Sequence, residues 1–238
     1  MQAFLAILRY DLGQLARSWL VRIWVVLLVA PALFLTVVAS SENELASETL
    51  GAYLGAVLAP LSGVAIAVIT AAAVSGESGI IADSILSRSV TRSEYLWAKI
   101  ASRIGVTLAL YFAIVIPLIY LVTRYAVNDV SAGGTLVGVL MVASLLGFLA
   151  ALGITLSTLM RNVLMAVLVL LLALVSSGVI LQFLGLTWLS TTAVLNDLPD
   201  TFRGDTGAWD SVRVLLLFPM MSVLALFAAM WTFRQKDL

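Results

Sequence analysis

Cysteine and histidine are both missing from the chain. That excludes disulfides, thiolate chemistry, imidazole metal sites and any Ser–His or Cys–His nucleophile pair. An HExxH zinc site and a rhomboid-like Ser–His pair fall with them. Charge is scarce too: Asp, Glu, Lys and Arg make up 11% of 238 residues, against about 25% in a soluble chain. Thirteen bases balance thirteen acids, so bulk charge gives no pull toward nucleic acid. No GxxxxGK[ST] occurs, so nucleotide hydrolysis by this chain alone is not expected.

What the sequence has is hydrocarbon. Apolar residues are 62% of the total and the mean hydropathy is +1.12, too high for a soluble globular domain. Six uncharged runs stand out, at 23–41, 49–76, 104–123, 130–160, 162–196 and 214–233. Each is long enough to cross a hydrocarbon core of about 30 Å as a helix rising 1.5 Å per residue. The expected fold is therefore all-α: a polytopic membrane protein with six transmembrane helices. No run holds two acids, which excludes an intramembrane aspartyl dyad. None carries a charge at mid-depth, where proton-coupled carriers usually place one.

Basic residues set the orientation. With both termini cytoplasmic, Arg9, Arg17, Arg22, Arg88, Arg92, Lys99, Arg103, Arg161, Arg234 and Lys236 fall inside, and only Arg124, Arg203 and Arg213 fall outside. Eight of the thirteen acids lie outside. The expected organisation is one transmembrane domain over 1–238. It has an interfacial helix at 1–22, spans near 23–41, 51–75, 104–123, 135–159, 163–183 and 214–233, and a cytoplasmic loop at 76–103. The opening MQAFLAILRYDLGQLARSW lacks the order of a cleaved signal, because Arg9, Asp11 and Arg17 interrupt any apolar core. Phe4, Leu8, Leu12, Leu15 and Trp19 recur at helical spacing, which predicts an amphipathic helix in the headgroup layer.

Within the second run, Gly51, Gly55, Ala59, Gly63, Ala67 and Ala71 repeat every four residues. That leaves one helix face nearly free of side chains, so another helix can approach closely. Packing inside the bundle is the plain reading, and a subunit interface or a cavity wall is the sharper one. Pro60 is expected to kink this helix. After Ser177 the chain VILQFLGLTWLSTTAVLN is expected to form a short re-entrant or interfacial helix on the outer side, with Trp188 at headgroup level. The seven methionines are scattered and suit core packing rather than copper handling. No metal site is expected.

The charged insert Glu77–Arg103, ESGIIADSILSRSVTRSEYLWAKIASR, is too polar for hydrocarbon. It resembles the first cytoplasmic loop of type-2 ABC exporter permeases. That family's loop runs from acidic residues through Leu-rich and Val-Ser-Arg pieces to a closing Gly-Lys. Glu77 matches the acid, Ile85-Leu86-Ser87 the leucine piece, Val90-Thr91-Arg92 the Val-Ser-Arg piece, and Tyr95-Leu96 with Lys99 the close. Ile80-Ile81, Ser89 and Ala98 depart from the family's Gly-Thr, Pro and Gly. The N-terminal helix, the six-span plan and the ending Phe233, Arg234, Asp237 fit the same pattern.

The resemblance implies a permease in the cytoplasmic membrane. It would pair with an identical or similar permease subunit among membrane lipids and dock two copies of an ABC ATPase, which carry ATP and Mg. The loop would act as the coupling helix, with Ile81, Ile85 and Leu86 seated in an apolar cleft and Glu77, Arg88, Arg92 and Glu94 as a charged rim. Lys99 and Arg103 are expected to snorkel as anchors at the third span rather than make contacts. Neither a cofactor nor catalysis is expected in this chain, and the cargo would be amphiphilic or apolar. A stand-alone carrier or channel remains an alternative, with only Thr70, Ser144, Thr155, Ser176 and Ser177 as midplane polar groups. So does a non-transporting assembly subunit.

Overall fold

A single residue, Ser18, separates the first two helices. In the computed structural model, which describes residues 2–75, 91–160, 162–183, 185 and 190–235, its backbone is extended (φ −64°, ψ 129°) between α1 (Gln2–Arg17) and α2 (Trp19–Glu42). α2 runs unbroken through Pro31 and ends at Asn43, in the left-handed conformation (φ 53°) that Asn tolerates better than most residues. The chain then turns straight into α3 (Ala46–Ala71). The turn is tied to the far end of a later helix: Ala46 N–H donates to the Val127 carbonyl (2.9 Å) and Val127 N–H to that of Glu44 (3.0 Å).

α3 is not a plain α-helix. Pro60 has no N–H for the Ala56 carbonyl, and its ring crowds that oxygen. The chain absorbs the defect as a π turn over Tyr53–Leu58, where Ala59 N–H reaches the Leu54 carbonyl five residues back.

α4 (Arg92–Tyr125) is 34 residues long and starts in a capping box. The Thr91 side chain accepts from Glu94 N–H, and the Glu94 carboxylate accepts from Thr91 N–H. Residues 92–103, assigned from the sequence to the cytoplasmic loop, are therefore the first turns of this helix. α5 (Ala132–Leu159) follows, capped by Ser131, whose side chain accepts from Gly134 N–H. α6 is Val163–Phe183. Where one outer re-entrant segment and a hydrophilic loop were expected, the chain forms two short helices, α7 (Thr191–Asn196) and α8 (Leu198–Arg203). α9 (Ala208–Gln235) closes the bundle.

The chain is all-α among its described residues apart from an isolated bridge between Leu45 and Val127. Among the described residues, five helices are long and apolar enough to cross a membrane: Trp19–Glu42, Ala46–Ala71, Ser93–Tyr125, Ala132–Leu159 and Ala208–Phe233. α6 adds a shorter apolar stretch, Val163–Ser176. The second of these helices begins at Ala46, five residues before Gly51.

α5 is the hub, with 67% of its apolar window buried against 17% for α9. It packs on α3, α4, α6, α8 and α9. Gly153 allows its approach to α3, because a Cβ there would overlap Thr70 Oγ1. Hydroxyl and indole groups bridge spans: Tyr53 donates to the Leu28 carbonyl (3.0 Å), Tyr111 to that of Val139 (2.9 Å), Thr155 to that of Ala225 (2.9 Å), and Trp24 Nε1 to Ser62 Oγ (3.3 Å). Such bonds average about 0.6 kcal/mol in a membrane. Large apolar side chains face outward along α2 (Val26, Phe34, Val37), α6 (Leu168, Leu172, Val175) and α9 (Leu216, Val223, Phe227). Soluble monomers rarely expose such contiguous patches. These faces suit a hydrocarbon surrounding rather than water.

The helix ends segregate by charge. One end carries Glu42, Glu44, Glu48, Asp129, Asp197, Asp200, Asp205 and Asp210 with Arg124, Arg203 and Arg213; the other carries Arg9, Arg17, Arg22, Lys99 and Arg103 with Asp11 and Glu94. They are called the acidic and basic ends below.

Candidate functional site: an apolar cavity between a charged lid and a charged clasp

The small-residue face of α3 has three different neighbours along its length. At Gly51 it meets the chain's own lid: a Cβ there would lie 2.6 Å from Pro199 Cγ, so only glycine lets α8 seat. From Gly63 onward it packs inside the bundle, with Leu174 and Leu149 against Gly63 and with Ala67 and Ala71 fully buried. Between these, Gly55 and Ala59 border a cavity of about 980 Å³. The face is internal to this chain and is not a free surface.

Five further elements complete the cavity wall: α5 (Leu145 to Leu152), α6 (Leu170 to Leu181), α7 (Thr191 to Asn196), α8 (Pro199) and α9 (Phe218, Met221). The π turn supplies Gly55 and Ala56, and Pro60 stands just below it. The lining is almost wholly aliphatic, with polar groups gathered near the acidic end at Glu48, Asn196, Thr191 and Thr192, and with Ser176 on the wall. The other midplane hydroxyls are occupied: Thr70 donates to the Ile66 carbonyl, Ser144 to that of Met141, and Thr155 to those of Ala151 and Ala225. The Ser177 side chain lies outside the described residues. A site built this way holds a ligand by apolar burial and orients it by a few polar contacts at one end.

Arg203 pins the lid over the acidic end. Its Nε donates to Ser47 Oγ (2.9 Å) and Asp129 Oδ2 (3.0 Å), and its terminal nitrogens to Glu48 (2.9 Å) and Asp200 (3.4 Å). Ser47 donates its N–H (2.8 Å) and hydroxyl (2.5 Å) to the same Asp129 carboxylate. Burial alone would raise the Asp129 pKa, but the bonds from Ser47 and Arg203 outweigh it and hold it below 3.8. Its hydrogen bond to Asp129 pushes Arg203 above the usual guanidinium value.

Asp11 does the corresponding job at the basic end. It is fully buried (0%) and receives Lys99 Nζ at 2.9 Å, Arg103 Nη2 at 3.2 Å and the Ser102 hydroxyl. Lys99 and Arg103 are 2% and 7% exposed. They do not snorkel; they clasp α1 to α4. The inward face of α1 accordingly includes Asp11 and Leu15, while Leu12 and Trp19, placed on its apolar stripe from the sequence, are exposed. Tyr95, Leu96, Ile100 and Phe233 pack beside this clasp. Ser157 accepts from the N–H groups of Val74 and Ser75 and donates to the Ala71 carbonyl, closing the end of α3.

Of the residues expected to dock an ATPase, Glu77, Ile81, Ile85, Leu86 and Arg88 lie outside the described residues. Arg92 is the first residue of α4, and Glu94 completes its capping box. Sequence reasoning missed the Asp11 and Arg203 clusters, each of which joins residues more than seventy positions apart. Thr91-x-x-Glu94 was a legible signal for the start of α4.

Neither protein-family models nor curated proteins match the chain. It is a polytopic, largely helical membrane protein with several apolar spanning helices.

Proposed function

We propose that the chain is the permease subunit of an ATP-driven exporter, giving an amphiphilic or apolar substrate its path through the cytoplasmic membrane. The observation that carries this reading is the cavity of about 980 Å³, set among six elements and lined mainly by apolar side chains. A chain with an apolar cavity and no charge at mid-depth has no evident means of ion coupling. Its driving energy would enter from outside, through an ATPase that holds ATP and Mg. In this proposal α6, 21 residues long, is the sixth span, both termini are cytoplasmic, and the acidic end faces out.

The segment from Glu77 to Glu94 couples the ATPase to the bundle, with Glu77, Ile81, Ile85, Leu86, Arg88, Arg92 and Glu94 at the contact. α4 supports this assignment: it runs without a break from Arg92 at the basic end to Tyr125 at the acidic end. A push at its capped start moves the whole span. The working unit contains two permease subunits and two ATPases.

The test is co-purification with the ATPase from native membranes, followed by vanadate-sensitive ATP hydrolysis in proteoliposomes. Replacing Ile85 and Leu86 by Ser and Arg92 by Glu should abolish complex formation or turnover. Unchanged assembly and turnover in that variant overturns the coupling assignment. Transport by the purified chain without ATP overturns the exporter reading in favour of a carrier.

A further inference from the structure

Measured along α3, the cavity runs from Glu48 to Pro60, about 18 Å at 1.5 Å per residue. Half of a 30 Å hydrocarbon core is about 15 Å. The cavity is therefore about one leaflet deep. Its floor, at Pro60, Leu152 and Leu170, lies near the middle of the bundle, and its polar mouth lies among the headgroups of the acidic end. Below the floor the bundle is closed by the Gly153–Thr70 contact, the buried Ala67 and Ala71, and the Ser157 bonds.

Two of the walls, α6 and α9, pack on α5 but not closely on each other. Both line the cavity, through Ser176 and Ile180 on one side and Phe218 and Met221 on the other. Val175 on α6 and Met220 on α9 are both exposed, which leaves a sideways route from the bilayer open between the two helices.

The mouth has a sign. Eight acids and three bases stand at this end of the chain, and Glu48 presents a largely exposed carboxylate with one oxygen on Arg203. Asn196, Thr191 and Thr192 add hydrogen-bonding groups beside it. An anionic head would meet repulsion there, whereas a hydrogen-bond donor would be held.

We infer that this cavity binds a single-tailed amphiphile with an amine- or hydroxyl-bearing head and exchanges it with the leaflet at the acidic end, through the gap between α6 and α9. The head lies at Glu48 and Asn196, and the tail runs down past Gly55 to Leu152 and Leu170. This rests on reading the cavity as the substrate site of the proposed permease, and it adds the substrate class, its orientation and its leaflet.

The experiment uses the full chain alone in lipid nanodiscs, with hexadecylamine carrying a diazirine at its methyl end as the probe. Light followed by peptide mapping should place the label on the segments containing Pro60, Leu152 and Leu170. Hexadecanoic acid with the same diazirine should label them about tenfold less, because its head is anionic. Gly55→Leu, which fills the cavity from α3, should cut labelling by the amine about tenfold. Should that variant fail to fold, the wild-type map and the amine-to-acid ratio still decide. Label confined to the lipid-facing Leu216 and Val223, or equal labelling by amine and acid, overturns the inference. No ATPase is present, so a negative result here leaves the exporter reading standing. A labelled cavity in a chain that shows no ATP-driven transport overturns only the exporter reading.

Discussion

Asp11 and Lys99 form a buried ion pair, Nζ to Oδ1 at 2.9 Å, across 88 residues of chain. The pair joins the N-terminal helix to the first turns of α4, the longest helix among the described residues, and Arg103 meets the same oxygen at 3.2 Å. Burying charge is costly, and a buried pair holds together only while its partners remain in place. The expected outcome of Asp11→Asn is a loss of about 3–5 kcal/mol, because both cations lose the carboxylate they share. Thermal unfolding in detergent measures it. The triple change Asp11→Leu, Lys99→Met, Arg103→Met should recover most of that loss. A single Asp11→Asn that melts with the wild type would show that the clasp does not hold α1.

Gly134 sits where α8 crosses the start of α5. A Cβ there would lie 2.6 Å from the Phe202 carbonyl oxygen and would overlap that of Thr201. These are backbone atoms and cannot swing aside. Gly134→Ala should cost about 1–3 kcal/mol and loosen the lid first, seen as faster proteolytic cleavage near Gly204–Thr206. Gly133→Ala, which meets nothing within 4 Å, is the matched control and should behave as wild type.

The Arg203 network gives the lid a pH dependence with a definite sign. The Asp129 pKa is lowered by folding, so its contribution is present above the unfolded value of 3.8 and is lost as pH falls through the lower folded value. Hydrogen exchange at the amides of Ser47 and Ser131 should be unchanged from pH 7 to pH 5, after correction for the intrinsic rate. It should rise only below 3.8. In Asp129→Asn the exchange should be fast at every pH and the low-pH rise absent.

How much of this was open to a reader of the sequence depended on range. Uncharged runs revealed the apolar helices, five of them of spanning length among the described residues, and the four-residue repeat revealed that Gly51 to Ala71 form one close-approach face. The repeat did not reveal that the face has three neighbours, because Pro199, the α6–α9 walls and Leu174 come from segments distant in the chain. Asp11 was legible as a charge on a helix but not as a buried one: periodicity ranks residues by hydropathy, and the winning face turned on two cations some ninety positions away. The π turn followed from Pro60 only in kind. A kink and a slipped ladder are both answers to the missing N–H, and the chain takes the second.

The capping box at Thr91 offers a test of how α4 begins. Thr91 Oγ1 accepts from Glu94 N–H at 3.3 Å, and Glu94 Oε2 accepts from Thr91 N–H at 3.3 Å. Both satisfy donors that the first turn of a helix otherwise leaves open. Thr91→Ala should destabilise that turn by about 1 kcal/mol, and Thr91→Ser should restore it. The direct readout is hydrogen exchange: faster at Glu94 and Tyr95, unchanged beyond Arg103, where the clasp to Asp11 holds the helix. The proposed coupling adds a second readout. If force enters α4 at its first turn, the frayed variant will hydrolyse ATP in complex with its ATPase at a normal rate but transport less substrate per ATP, and Thr91→Ser will do both normally. Equal transport per ATP in Thr91→Ala and wild type would place the point of entry elsewhere, while a matching change in exchange would leave the capping box itself intact.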